Sequence, residues 1–110
     1  MAALDLSTKQ SPWTTARADL ESSAGNVREV KLPQWCRRFT VNFRTSANAD
    51  DSGRVASAGT DTAAIGNDVF PCPSGSALSF AINPTSTGTR SIYITGDTAS
   101  GYAYILLEAV

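Results

Sequence analysis

The chain has 110 residues and a mass of 11.6 kDa, enough for one hydrophobic core. Nine basic residues against ten acidic ones leave a net charge of −1, so neither nucleic acid nor an anionic membrane is expected as a partner. There is no His and there are only two Cys, Cys36 and Cys72, which removes the usual general base and the usual metal ligands.

Residues 1–12, Met1-Ala-Ala-Leu-Asp-Leu-Ser-Thr-Lys-Gln-Ser-Pro12, are polar and hold no strong strand pattern. They read as an N-terminal arm preceding one domain over 13–110, with Leu4 and Leu6 available to dock on a neighbour. The opening residues lack the basic and apolar regions of a signal peptide. No apolar run approaches the ~20 residues of a membrane span.

Residues 14–22 fit two patterns. Trp13, Ala16 and Leu20 make a short helical stripe, whereas Ala16, Ala18 and Leu20 alternate with polar neighbours; the alternation favours a strand. Val30-Lys-Leu32 alternates before Pro33 and predicts a strand over 27–32. Phe39-Thr-Val41-Asn-Phe43-Arg44 predicts a half-buried strand over 37–45. Shorter runs predict strands over 53–58 and 67–71. Leu78-Ser-Phe80-Ala-Ile82 predicts one over 77–83, and Ile92-Tyr-Ile94-Thr95 one over 90–95.

Turn residues separate these runs every ~8–12 positions, the rhythm of a sandwich or barrel. Eight short strands and no long helical pattern predict an all-β fold. A two-sheet antiparallel β-sandwich is expected, with the jelly roll as one form of it. Its core should include Phe39, Val41, Phe43 and Phe80.

The last predicted strand, 102–109, is apolar on both faces. Tyr102, Tyr104 and Leu106 share one side, and Ala103, Ile105, Leu107 and Ala109 share the other. One side belongs to the core. The other is covered by a loop or the arm, or else it meets another subunit.

Candidate chemistry is sparse. No Ser or Thr has a His to activate it, and neither Lys9 nor Lys31 stands in a Ser-x-x-Lys spacing. Cys36 lies in Trp35-Cys-Arg-Arg38, where two Arg favour a thiolate, yet it has no His partner. Cys72 lies in Phe70-Pro-Cys-Pro73, a rigid extended corner. A Cys36–Cys72 pair is open on sequence, although cytoplasmic assembly disfavours it. Asp50-Asp51 beside Gly53 offers hard oxygens for Ca²⁺ but lacks EF-hand spacing, so a solvated turn is the plainer reading. Asp61 and Asp68 flank a loop that they could approach. No catalytic residue, metal site or cofactor is therefore expected.

Seven of the nine basic residues are Arg, and Arg37, Arg38 and Arg44 surround one predicted strand. The planar guanidinium suits protein interfaces. Trp13, Trp35, Tyr102 and Tyr104 are the natural aromatic anchors for such a surface; Trp35, in the Pro33-Gln34 loop, suits the core as well.

Four stretches together carry a resemblance. They are Val27-Arg-Glu-Val-Lys-Leu-Pro33, Arg38-Phe-Thr-Val-Asn-Phe-Arg44, Ala64-Ile-Gly-Asn-Asp-Val-Phe-Pro-Cys-Pro73 and Ser91-Ile-Tyr-Ile-Thr-Gly-Asp-Thr-Ala-Ser-Gly-Tyr-Ala-Tyr104. They are strand and turn idioms, and they resemble small β-rich virion proteins of tailed bacteriophages, most of all capsid decoration (cement) proteins. The resemblance implies a non-enzymatic protein on the capsid exterior, assembled in the host cytoplasm. It further implies a homo-oligomer, with a trimer favoured, bound to the major capsid protein. A head-fibre or tail/baseplate component is the alternative reading, and a carbohydrate-binding β-sandwich a more distant one.

Overall fold

A computed structural model describes residues 2–20, 27–57, 69–83, 88 and 90–109. Nine strands form: β1 (Leu4–Asp5), β2 (Trp13–Asp19), β3 (Arg28–Leu32), β4 (Arg38–Arg44), β5 (Gly53–Ala56), β6 (Phe70–Cys72), β7 (Ala77–Ala81), β8 (Arg90–Gly96) and β9 (Tyr102–Glu108). No helix occurs among the described residues. All eight expected strands are present, and the ambiguous stretch after Pro12 is the strand β2. The expected extensions over 21–22, 58 and 67–68 lie outside the described residues.

The strands build a five-stranded sheet, β1-β3-β8-β5-β6, and a four-stranded sheet, β2-β9-β4-β7. Among β2 to β9 every pairing is antiparallel. The pairs β2–β9, β3–β8, β4–β7 and β5–β6 nest inside one another, as if one long hairpin had been rolled up. That is the strand order of a jelly roll, in which the two sheets share one filling.

The alternation seen in the sequence sets the filling. Phe39, Val41 and Phe43 point inward from β4, and Ala103, Ile105 and Leu107 do so from β9. Val30, Leu32, Ile92, Ile94 and Val55 face them from the other sheet. Gly53 is required by this contact, because a Cβ there would lie 2.6 Å from the Phe43 ring. Phe80 is placed differently from the expectation. Its ring stacks obliquely on Phe39 at 5.3 Å, but it is only half-buried, because β7 is the edge strand of its sheet among the described residues.

Residues 2–12 pack against the sandwich. β1 runs parallel to β3, pairing Leu4 with Val30 and Asp5 with Lys31. The Leu6 amide donates to the Lys31 carbonyl at 2.9 Å, and the Leu6 side chain, 2% exposed, joins the core. The Trp35 indole donates to the Lys9 carbonyl at 2.8 Å, and the Ala109 amide donates to the Pro12 carbonyl at 2.8 Å. Leu4 and Leu6, expected to serve a neighbour, are thus placed beside and within this chain's own core. The two-residue parallel pairing supplies the backbone partners that hold them there.

Candidate protein-contact surface

The outward face of the sheet β2-β9-β4-β7 is a grid set by strand register. One row reads Trp13, Glu108, Arg38 and Ala81, and the next Thr15, Leu106, Thr40 and Ser79. A third reads Arg17, Tyr104, Asn42 and Ala77, and a fourth Asp19, Tyr102 and Arg44. Trp13 is 62% exposed and Tyr104 41% exposed. The second face of β9 is therefore not covered by the arm, which lies along β3 instead. A shallow hollow of about 590 Å³ sits over the middle rows, lined by Thr15, Arg17, Thr40, Asn42, Tyr104 and Leu106.

The polar side chains around this grid are held in place. The Arg17 guanidinium lies over the Tyr102 ring, 4.5 Å from its centre, and 3.3 Å from the Asp19 carboxylate. Thr40 Oγ1 donates to Ser79 Oγ at 3.0 Å, and Asn42 Nδ2 donates to the Ser76 carbonyl at 3.1 Å. Arg44 pairs with Asp50 at 2.6 Å and donates through Nε to Asn48 Oδ1 at 3.2 Å. Asn48 adopts φ of 61°, the left-handed conformation that Asn tolerates in a tight turn. Such prearranged side chains lose little freedom when a partner arrives.

A second hollow, of about 800 Å³, opens at one end of the sandwich between Trp35, Arg37, Arg38, Ile82 and Ala109. Trp35, Arg37 and Arg38 are neighbours in sequence, so their meeting follows from the chain itself. Trp13 reaches the same end through the register Trp13–Glu108–Arg38, which joins three strands from distant parts of the sequence. Neither the Arg37 nor the Arg38 guanidinium makes an ion pair or hydrogen bond with a described residue. The structure thus joins Trp13, Trp35, Arg37 and Arg38 at one end. Tyr102 and Tyr104 lie further along the adjoining face.

A third apolar groove, of about 430 Å³, runs between Val55, Phe70, Leu78, Phe80 and Ile92. Phe70 is 63% exposed there and was not singled out from the sequence. Its signal was the pair Phe70-Pro71: a proline confines a short strand to a sheet edge and leaves its neighbour at the rim.

The remaining candidates take separate places. Cys36 and Cys72 are both buried and unpaired. Burial pushes each thiol above its ordinary value, outweighing the hydrogen bonds that favour the thiolate. The flanking Arg37 and Arg38 therefore do not make Cys36 reactive. Asp50 turns to Arg44, whereas Asp51 turns inward to the Ser52 amide (2.9 Å) and Thr98 Oγ1 (3.0 Å). The two carboxylates do not converge, and no cluster of three metal-ligating acids or thiols occurs among the described residues. Asp61 and Asp68 lie outside the described residues.

Compared with known proteins, the chain matches no family model, no curated protein and no solved structure.

Proposed function

We propose that this chain is a non-catalytic structural protein of a phage virion, decorating the capsid exterior by binding the major capsid protein lattice. The observation that carries the reading is the placement of Trp13, in the end row, at the same end of the sandwich as the hollow lined by Trp35, Arg37 and Arg38. Trp and Arg are the residues that interfaces concentrate, and a guanidinium without a partner among the described residues can meet a carboxylate on another protein. The jelly roll is also used by viral capsid and lectin domains, an analogy at the level of fold. A lattice multiplies a modest contact, because each copy meets an identical site.

Co-sedimentation with assembled capsids tests this. The chain should pellet with shells and not with free capsid subunits. Arg37→Glu, an exposed position, should weaken shell binding by about tenfold or more through loss of charge complementarity. A chain that ignores intact shells, or an Arg37→Glu variant that binds them as wild type does, would overturn the reading.

A further inference from the structure

We infer that the outward face of the sheet β2-β9-β4-β7 is an isologous interface, and that its occupant is a second copy of this chain related by a two-fold axis along the β9–β4 seam. The face is self-complementary in charge and size across that axis. A two-fold in the interface, running parallel to the strands, lays β9 of one copy over β4 of the other and β2 over β7, with each row facing the same row. Residue i then meets residue j, and j meets i.

Charge matches first. Glu108 and Arg38 are register partners on adjacent strands, yet neither side chain makes an ion pair or hydrogen bond with a described residue. Across the two-fold, each Glu108 faces the Arg38 of the other copy, giving two intermolecular pairs.

Size matches second. The outward residues of β2 include the large Trp13 and Arg17, whereas those of β7 are all small: Ala77, Ser79 and Ala81. The axis sets Trp13 over Ala81 and Arg17 over Ala77. Rotating instead about an axis across the strands would set Arg38 against Arg44, already paired with Asp50, and Glu108 against Tyr102, so neither charge would meet an opposite one. Sheets packed face to face keep their strand directions within about 30° of each other. The Glu108–Arg38 pairs, in an end row, require a crossing well below that limit, because a shift of one strand spacing would set like charges opposite.

The area sets the strength. Four strands at ~4.8 Å and seven residues at ~3.3 Å give a flat face on the order of 450 Å² per copy, below the ~800 Å² of a standard interface. The pair is therefore expected to associate in the micromolar range. The dimer covers Trp13 and Arg38 of the proposed capsid-contact end but not Arg37, which lies outside the rows of the face, so the Arg37→Glu test of shell binding stays distinct from it. The dimer also departs from the trimer that the resemblance implies.

Sedimentation velocity over a concentration series from about 1 to 300 μM, spanning that weak regime, is the test. Wild type should shift towards twice the 11.6 kDa chain mass as concentration rises. Glu108→Arg alone and Arg38→Glu alone should each raise the dimer Kd by about tenfold or more, and the double variant should restore it. Ala81→Arg, at an exposed position on β7, should also break the dimer by colliding with Trp13 of the other copy. A wild type that stays monomeric throughout, a trimer, or a dimer indifferent to all three single changes would overturn the inference. A dimer restored by the charge swap but silent towards capsids would leave it standing while removing the proposed function.

Discussion

The two sheets treat their outward faces differently. On the sheet β1-β3-β8-β5-β6 the chain covers itself: Val27 and Ala56 are buried there against Tyr93 and Val69 in a small second cluster. Ser91 also hydrogen-bonds to Glu29 across the strands on that side. On the sheet β2-β9-β4-β7 the apolar members of a mixed outward set stay partly or largely uncovered: Trp13 and Tyr104 are exposed and Leu106 is half-buried. The same alternation built both faces, so local pattern did not decide which one the fold would keep. Large exposed aromatics are costly to leave in water unless something covers them; Trp13 and Tyr104 carry that cost on the second face, as Phe70 does at the edge of the first sheet.

This contrast can be broken first at the filling between the sheets. Phe43→Ala should cost about 3–5 kcal/mol in urea melts, because the ring is fully enclosed and Gly53 lies against it. Phe80→Ala, on the half-buried edge strand, should cost about 1.5 kcal/mol. Equal losses would mean that β7 is not an edge.

Leu6→Ala should cost about 2–3 kcal/mol, the lower range for a buried Leu, because this side chain belongs to the core. A loss under about 0.5 kcal/mol, the range of surface changes, would return residues 2–12 to the status of a free arm.

The thiols sharpen the comparison from inside. Their raised pKa means that the unfolded chain ionises first as pH rises. Their contribution is fully present below the ordinary thiol value of about 8.5 and is lost as pH climbs through and beyond it. Native protein at pH 8 should react slowly with a thiol reagent and rapidly in denaturant. Labelling of the native chain at the rate of a free thiol would contradict the burial.

The smallest effect belongs to the open face. Trp13→Ala should change the stability of dilute monomer by no more than about 0.5 kcal/mol, as surface substitutions usually do.

Much of the fold was legible because the strands advertise their inner sides. Phe39, Val41 and Phe43 alternate without interruption, and β4 sits between two neighbours, so face and depth coincide. For Phe80 the alternation gave the face but not the depth, since depth depends on how many strands lie beyond β7. Leu6 was illegible for another reason: its burial follows from a two-residue parallel pairing with β3, a long-range event without a local period. The surface divides in the same way. Trp35, Arg37 and Arg38 could be grouped because they are adjacent in the chain. The junction of Trp13 with Arg38 required three strands to find their register, and the Val27–Ala56–Tyr93 cluster required three others.

The difference between the two outward faces can be measured with one pair of variants, each placing a carboxylate on one of them. Urea denaturation of dilute protein should show Val27→Asp severely destabilised or unfolded, since Val27 is 0% exposed and the charge would be buried unpaired. Tyr104→Asp should melt within about 0.5 kcal/mol of wild type, the margin for exposed positions. Comparable damage from both substitutions would contradict the claim that one face is kept by the fold and the other is left for a partner.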